Sequence, residues 1–397
     1  MYRNTYVQVN LNHLEENVKN IVKGYPDYTY YIGVVKGNGY GHGSYIVNTL
    51  LQAGVNYLAV SSLEEAIQIR KYNQNVPILC LEPIPVDYIK ETIAHKVTLT
   101  ISSLSYLKKL GSVVPYEAIK MHLKINTGMN RLGFQNKEEV KEAFDFIKSH
   151  YILEGIYTHF TTLGISDPYW DKQLQKFEEL TSFIDIKQIP MVHLGRSLTL
   201  VNHPKVPFAN GIRLGIIMYG FNQSPKINTS FKGKLKNIKA QMRIKKYHIS
   251  ETTLTSKAPV TPAFSLYSEI MEIQTVKKGD HVGYGLGYVA EEDMLVGIAP
   301  IGYADGLTRQ NSGRKVWINQ KKYPIIGSVN MGMIQIQIDE NVKIGDKVEL
   351  LGEHISVSYA ASYIHTTPYE CMCMIHEQVP RVYIKDNQIQ YIEEWKV

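Results

Sequence analysis

The sequence predicts an α/β fold in which an N-terminal (β/α)8 TIM-like barrel is followed by a C-terminal β-rich domain. Eight short apolar segments alternate with helical stretches, and strands separated by helices pair in parallel. Eight such units match a closed barrel better than an open doubly wound sheet. From about residue 262 to about residue 358, short strands with turns replace the helical pattern. The predicted barrel strands lie at residues 30–35, 57–61, 77–81, 97–101, 120–125, 155–159, 190–194 and 211–216.

Two domains are expected because a chain of 397 residues exceeds the size at which one hydrophobic core keeps growing. We place the barrel domain at residues 1–235 and the β-rich domain at residues 236–397. The first helix is predicted to begin with Asn12 as its N-cap and Glu15 three residues later. Side chains of these types at this spacing satisfy free backbone amides at a helix start.

The charge and hydropathy patterns argue against nucleic-acid and membrane partners. The 43 basic and 37 acidic residues leave a net charge of +6, and much of the excess falls in the lysine-rich stretch 226–250. We interpret that stretch as solvated surface rather than as a site for an acidic partner. The N-terminus lacks the apolar core of a signal peptide, and no segment approaches 18 uninterrupted apolar residues, so a cytoplasmic location is expected.

Three cysteines are too few for a disulfide framework, which agrees with a reducing compartment. Cys371, Cys373 and His376 lie close together in the sequence, but their spacing is not that of a zinc knuckle and a second ligand pair is missing. We therefore expect no metal and interpret Cys371 and Cys373 as ordinary buried thiols.

The first candidate for chemistry lies directly after the first barrel strand, in VVKGNGYGHG at residues 34–43. Lys36 follows an apolar run, and four glycines within the next seven residues let the backbone pass close to a bulky group. A lysine in a barrel mouth can form a Schiff base with an aldehyde cofactor such as pyridoxal 5'-phosphate (PLP). Glycine-rich turns after strands are common, so the residues alone leave a cofactor lysine and an ordinary turn equally open.

The same segment resembles the PLP-lysine signature of alanine racemases, in which a tyrosine stands four positions after the lysine, as Tyr40 does here. The resemblance implies a PLP-dependent isomerase that acts as a homodimer with shared active sites and supplies D-alanine for peptidoglycan precursors. It extends in order through HLKINTGMNRLGF (122–134), YTHF (157–160), HLGRS (193–197), IRLGIIMYG (212–220), VGYGLGY (282–288), PIGYADG (300–306) and PYECMCMIHEQVPR (368–381).

The resemblance also implies which residues bind the cofactor. An arginine, Arg213, is placed against the pyridine nitrogen, and His159 is paired with that arginine. Because arginine does not readily give up its proton, the ring nitrogen stays unprotonated, which favours simple proton exchange over transamination or β-elimination. The phosphate is assigned to the side chains of Tyr40, Ser197 and Tyr369 and to the backbone amides of Gly215 and Ile216.

The substrate residues follow in the same way. The resemblance assigns the substrate carboxylate to Arg131 and the backbone amide of Met331. Lys124 matches a family lysine that can be carbamylated to orient that arginine, and the sequence leaves open whether it is. Racemisation needs proton-transfer groups on both faces of a planar carbanion, since one base would return the proton to the side it left. Lys36 is assigned to one face and Tyr284 to the other; in the family this tyrosine comes from the second subunit, and the sequence leaves cis or trans open.

Several positions depart from the family pattern and bear on the substrate. Gly332 follows Met331 where an aspartate is usual, Arg196 precedes Ser197 where an asparagine is usual, and Gly164 stands where an acidic residue is common. Tyr303 and Arg309 of the substrate entrance are retained. The lysine-rich stretch makes the segment before the second domain longer than expected.

These departures leave a racemase for serine, lysine or a broader set of amino acids open, although alanine is expected because the Tyr369 ring leaves little room for a side chain. A PLP-dependent decarboxylase of the same architecture is a further alternative, but it would be expected to place an acidic residue at the position of Arg213. A non-catalytic PLP carrier would usually end with the barrel.

Overall fold

The computed structural model describes residues 1–114, 119–161, 168–222 and 256–394, together with residues 238 and 242. The chain forms two compact units. The barrel unit contains Leu14–Lys36 and Val47–Thr261, and the β-rich unit contains Met1–His13, Gly37–Ile46 and Pro262–Val397. Both the first residues and the segment after Lys36 thus belong to the β-rich unit.

The chain begins with strand β1 (Tyr6–Asn10) and helix α1 (Leu11–Gly24). Helix α1 starts before Asn12, so the predicted N-cap is wrong. The side chain of Asn10 accepts a hydrogen bond from the His13 backbone amide at 3.1 Å, while the Asn12 side chain donates to Asp386. Two asparagines two positions apart are equivalent signals in the sequence, and the helix uses the earlier one.

The barrel unit is a closed barrel of eight strands that pair in parallel, which confirms all eight predicted strands. It closes where the first barrel strand pairs with both the second and the last, with Ile32 beside Tyr57 on one side and Arg213 on the other. The strands are β2 (Tyr30–Val34), β3 (Tyr57–Val60), β4 (Ile78–Cys80), β5 (Val97–Ile101), β6 (Lys120–Lys124), β7 (Ile152–Tyr157), β8 (Met191–Arg196) and β9 (Gly211–Leu214).

Helices alternate with these strands in the described parts of the barrel. Most of the barrel strands are buried on both faces, so their sequences are continuous apolar runs rather than alternating ones. The helices are α2 (Val47–Ala53), α3 (Leu63–Arg70), α4 (Ile89–Ala94), α5 (Leu104–Val113), α6 (Lys137–His150), α7 (Pro168–Leu180) and α8 (Ser197–Asn202).

The β-rich unit contains a ten-stranded sheet and confirms the predicted β-rich second domain. Its later strands are β10 (Phe264–Glu269), β11 (Glu272–Val276), β12 (Met294–Ala299), β13 (Lys315–Ile318), β14 (Lys321–Ile326), β15 (Ile334–Ile338), β16 (Lys347–Leu351), β17 (Arg381–Lys385) and β18 (Gln388–Glu393). The helical pattern resumes near residue 358 as predicted, with α9 (Val357–Tyr363) and α10 (Pro368–Cys373).

Strand β1 lies in the interior of this sheet. The strand order is β11-β12-β15-β14-β13-β16-β10-β1-β17-β18. β1 pairs antiparallel with β10, where Val7 faces Leu266, and parallel with β17, where Val7 faces Arg381. The sequence YVQVN alternates in polarity as a strand should, but that pattern does not say which sheet the strand joins.

Cys371 is buried, as expected for an ordinary thiol, whereas Cys373 is exposed, so the prediction of a buried thiol is wrong there; Cys80 is also buried. Among the described residues, no helix is long and apolar enough to cross a membrane. The described residues also contain no group of three or more His, Cys, Asp or Glu side chains that could hold a metal ion.

Candidate active site

The carboxyl ends of the barrel strands bring together most of the residues predicted from the sequence. Lys36 follows β2, Lys124 ends β6, His159 follows β7 and Ser197 follows β8. Arg213 lies within β9, and Gly215 and Ile216 follow it. In a parallel barrel these strand ends surround one mouth, which is where active sites of this fold lie.

The backbone after Lys36 explains the glycine-rich sequence. Residues 37–40 have φ values of 63°, 49°, 60° and 54°, which is one turn of left-handed backbone. Left-handed helical backbone costs about 1–2 kcal/mol per residue for side chains other than glycine. At Gly41 a Cβ atom would lie 2.4 Å from the Met372 carbonyl oxygen. The bulky neighbour predicted from these glycines is therefore, at Gly41, another backbone segment of the β-rich unit.

Two tyrosines assigned to the phosphate lie close together within the β-rich unit. The ring centroids of Tyr40 and Tyr369 are 6.0 Å apart and the rings are tilted by 44°. Tyr369 lies in α10, and Tyr40 lies in the left-handed turn. The turn and α10 thus bring two hydroxyl-bearing rings from distant parts of the sequence to one place.

The other predicted phosphate groups meet in the barrel unit. The Gly215 backbone amide donates a hydrogen bond to Ser197 Oγ at 2.8 Å. Both residues are buried, as is Ile216. A hydroxyl and a backbone amide brought together from the ends of β8 and β9 are the kinds of group that bind phosphate.

Arg213 is held in place by His193, a residue that was not predicted from the sequence as its partner. The guanidinium is buried, and its Nη1 lies 2.7 Å from both Nδ1 and the carbonyl oxygen of His193. Its Nη2 donates to the carbonyl oxygens of Thr158 and Leu194. Among the described residues, His193 rather than His159 is the histidine at hydrogen-bond distance. The signal for His193 was its place in the HLGRS motif, but a histidine in an apolar strand is usually interpreted as a core residue.

Lys124 is an amine held in a cationic, buried environment. Its side chain lines a small pocket together with Arg131 and His159, and its Nζ lies 4.2 Å from the centroid of the Tyr157 ring. Burial lowers the pKa of Lys124 well below the usual lysine value, and the charges of Arg213, Arg131 and Lys36 lower it further. The environment therefore favours the uncharged amine.

The charges at the barrel mouth fit an anionic ligand. Burial lowers the pKa of His159 well below its ordinary value, and the basic groups Arg213, Arg196, Lys124 and Arg131 lower it further. Arg213 itself keeps its proton near neutral pH, since burial lowers its pKa only to about 10. Cations beside a hydroxyl and backbone amides suit a phosphate and a carboxylate, so these residues fit PLP and an amino acid.

The remaining predicted residues lie in the β-rich unit and are exposed. Tyr284 is 74% exposed and begins a short 3-10 turn, and Met331 is 62% exposed. The Ser328 hydroxyl accepts a hydrogen bond from Arg309 and donates to the Tyr284 carbonyl oxygen. The Met331 carbonyl accepts from the backbone amide of Ala304, next to Tyr303.

The positions that depart from the family pattern lie in different surroundings. A Cβ atom at Gly332 would meet nothing within 4 Å, so this position is open. Arg196 precedes α8, and its Nε donates to the Phe160 carbonyl oxygen at 3.4 Å. Gly164 and the lysine-rich stretch 226–250 lie outside the described residues, apart from positions 238 and 242.

Two family models match most of the chain. The alanine racemase N-terminal domain matches residues 9–223, and the alanine racemase C-terminal domain matches residues 263–383. The chain belongs to the alanine racemase family. This confirms the resemblance predicted from the sequence motifs and, since alanine racemases are isomerases, the predicted enzyme class.

Curated alanine racemases match over nearly their whole length. The chain is 36% identical to the alanine racemase of Halalkalibacterium halodurans, with 98% of this chain and 97% of that protein covered. It is 32% identical to alanine racemase 1 of Bacillus subtilis, with 98% and 96% covered.

Solved alanine racemase structures share the fold. The alanine racemase of Clostridium difficile 630 superposes with a TM-score of 0.86 at 31% identity and 99% coverage of both chains. The Bacillus anthracis alanine racemase with bound L-Ala-P gives 0.84 at 30% identity, with 99% of this chain and 98% of that chain covered. The barrel and β-rich sheet of this alanine racemase family member are thus those of its relatives.

Proposed function

We propose that the protein is a PLP-dependent alanine racemase that interconverts L-alanine and D-alanine, with Lys36 and Tyr284 as the two bases. The observation that carries the proposal is the group of basic side chains at the barrel mouth, where Lys36, Lys124 and Arg213 lie at the ends of strands in a chain of the alanine racemase family. The family resemblance supports a cytoplasmic location and a role in supplying peptidoglycan precursors.

Each residue of the mouth has a distinct task in this proposal. PLP, when bound, withdraws electrons from the amino acid and so stabilises the carbanion left by loss of the α-proton. Lys36 anchors the cofactor, and Ser197 with the amides of Gly215 and Ile216 binds its phosphate, together with Tyr40 and Tyr369. Arg213 donates a hydrogen bond to the ring nitrogen without transferring a proton, which limits electron withdrawal and favours proton exchange.

Proton transfer is assigned to groups on opposite faces of the substrate. Lys36 takes the α-proton of D-alanine and returns one to that face, and Tyr284 does the same for L-alanine. Arg131 and the Met331 amide hold the carboxylate, so that the α-carbon lies between the two bases. Holding a substrate in one orientation contributes much of the rate of such an exchange.

The exposure of Tyr284 supports a homodimer with shared sites. A base that exchanges protons with a bound substrate is shielded from water, yet Tyr284 is 74% exposed. Other apolar side chains of the β-rich unit are also exposed, including Leu286 at 67% and Met331 at 62%. Exposed apolar patches of this kind mark interaction surfaces. We propose that a second copy covers this surface and that Tyr284 of each copy serves the Lys36 of the other.

Alanine is expected to be the preferred substrate, because the family resemblance assigns the bulky Tyr369 ring to a position close to the phosphate and the substrate side chain, where it leaves room for little more than a methyl group. The test measures kcat/KM for each L-amino acid in turn, with chiral analysis of the product. Gly332→Asp is the matched variant, since the open space at this position accepts a side chain. The variant is expected to increase the preference for alanine over serine. A higher kcat/KM for serine or lysine than for alanine in the parent enzyme would contradict the proposal.

Lys124 is expected to carry a carbamate, because its uncharged amine can add CO2 and release one proton to solvent, which replaces a buried basic group among three cations by an anion. The carbamate would orient Arg131 by a charged hydrogen bond. Lys124→Met should raise KM for alanine by about tenfold, since hydrogen bonds to charged groups contribute about 1.5–3 kcal/mol. Carbon-13 NMR after incubation with labelled bicarbonate should show a carbamate signal.

Lys120→Met is the control for this prediction. Lys120 lies at the other end of the same strand and its side chain is 50% exposed. This variant should keep both the carbamate signal and the parent KM. A parent enzyme without the signal, or one whose signal is lost on replacement of Lys120, would rule out a carbamate on Lys124.

A further inference from the structure

A buried chain of side chains runs away from Arg213 inside the barrel. Nη1 of Arg213 lies 2.7 Å from Nδ1 of His193, and Nε2 of His193 lies 2.8 Å from Nδ1 of His122. Nε2 of His122 lies 3.3 Å from Oε2 of Glu154. Both histidines are fully buried, while the Glu154 side chain is 14% exposed. Arg213 and Glu154 are thus connected through two imidazole rings.

Arg213 and Glu154, at the two ends of this row of side chains, together fix the direction of every hydrogen bond between them. A guanidinium can only donate, so His193 Nδ1 accepts and its Nε2 carries the proton. His122 Nδ1 therefore accepts from His193, and His122 Nε2–H donates to Glu154. Burial alone would raise the pKa of Glu154, but hydrogen bonds from His122, Lys120 and Tyr57 together lower it to about 2, so this end only accepts.

Both rings stay neutral in this arrangement. Burial lowers the pKa of His193 well below its ordinary value, and the charge of Arg213 lowers it further. Burial also lowers the pKa of His122, although Glu154 opposes the effect. A neutral imidazole has one donor and one acceptor, as each position in the chain requires.

The backbone is shaped to admit the His122 ring. Glu154 is followed by Gly155, and a Cβ atom at Gly155 would lie 2.6 Å from both Cε1 and Nδ1 of His122. Only glycine at this position allows the ring to lie between Glu154 and His193. Among the described residues, no carboxylate forms an ion pair with Arg213. The two hydrogen-bonded histidines therefore connect Arg213 to the negative charge of Glu154.

We propose that Glu154 is a positioning residue for Arg213: as the terminal acceptor of this chain it fixes the tautomers of His122 and His193, and so presents an unprotonated nitrogen to the guanidinium. The kinetic part of this inference rests on the proposed contact of Arg213 with the cofactor ring. The inference about the tautomers concerns only the protein's own side chains and does not depend on a contact with the cofactor.

Glu154→Met tests the proposal by removing the acceptor while keeping the side-chain length. His122 Nε2–H then has no fixed partner, and we expect kcat to fall by about tenfold with KM for alanine within about twofold, as for coupled neighbours in one network. Glu154→Gln keeps an acceptor oxygen and should restore most of the activity. Gly155→Ala, which displaces the His122 ring without altering either end, should resemble Glu154→Met.

Lys120→Gln is the matched control. Lys120 donates to Oε1 of Glu154 at 2.5 Å, whereas His122 uses Oε2, so this variant removes a partner of the same carboxylate and leaves the chain intact. It should match the parent in kcat.

Nitrogen-15 NMR of histidine-labelled holoenzyme gives the readout that is independent of activity. The His122 and His193 signals can be assigned with His122→Asn and His193→Asn. In the parent and in Lys120→Gln, both rings should be neutral with the proton on Nε2, and the His122 signal should change in Glu154→Met.

A parent ring that is protonated on Nδ1 would overturn the proposal, and so would equal losses of kcat in Glu154→Met and Lys120→Gln. If the tautomers are as expected but no racemisation is found, the proposed function fails and the tautomer assignment stands.

Discussion

Replacing Lys36 with alanine is expected to abolish the visible absorbance of enzyme-bound PLP and to reduce racemisation by at least about 10⁴-fold, because one amine both anchors the cofactor and transfers a proton. Lys36 follows β2 at the barrel mouth and is half-buried. The measurement is an absorbance scan of the purified variant, followed by a racemisation assay with alanine.

The control for Lys36 is a lysine of the barrel surface. Lys141 lies in α6, forms an exposed ion pair with Asp145 and should be replaceable by alanine without loss of absorbance or rate. Borohydride reduction of the parent enzyme and peptide mapping then locate the cofactor. Its attachment to any lysine other than Lys36 would refute the assignment.

Replacing Tyr284 with phenylalanine should reduce racemisation by about 10² to 10⁴-fold, the usual cost of losing a positioned general base. Only a hydroxyl is removed from an exposed side chain, so folding and cofactor absorbance should survive. Exchange of the α-proton with deuterated solvent should be lost from L-alanine and persist from D-alanine through Lys36. Net interconversion should fall equally in both directions, as detailed balance requires.

Tyr303→Phe is the comparison variant for Tyr284. Tyr303 is also exposed, at 45%, and lies in the same unit. A Tyr284→Phe enzyme that racemises at the parent rate would remove Tyr284 from the mechanism and make Tyr303 the next candidate for the second base.

Mixing the two inactive variants decides whether Tyr284 acts in trans. In a dimer with shared sites, a mixed dimer of Lys36→Ala and Tyr284→Phe chains contains one site with both lesions and one intact site. Random exchange of subunits should therefore restore about a quarter of the parent activity, since about half of the dimers are mixed. No recovery after verified subunit exchange would place Tyr284 in cis.

The barrel could be predicted from the sequence because its strands are short apolar runs between helices. The placement of β1 could not, because the alternation of YVQVN is satisfied by any half-buried strand. The N-cap of α1 was ambiguous for a similar reason, since Asn10 and Asn12 both precede the same apolar pattern. Short-range patterns thus predicted which elements form, while pairing between distant elements needed the structure.

In the candidate site, too, the sequence predicted the residues within motifs but not the contacts between strands. Lys36, Lys124, Ser197 and Arg213 could be predicted because they lie within motifs at strand ends. His193 was missed as the partner of Arg213, because hydrogen bonding between neighbouring strands inside a barrel leaves no spacing signal in the sequence. His122 and Glu154 likewise lie on different strands and come together only when β6 and β7 pair.

The interior position of β1 has a consequence for how the protein is made. On the ribosome, residues 6–10 emerge before the strands that pair with them, since Val7 is matched with Leu266 and Arg381. The barrel sequence can fold during this interval, but one hydrogen-bonding edge of β1 stays open until β10 has been synthesised, and the other stays open until β17 has been synthesised. Such late, long-range pairing is slow and leaves an aggregation-prone edge exposed. A nascent chain of this protein therefore exposes an unpaired strand at residues 6–10 throughout the synthesis of the barrel.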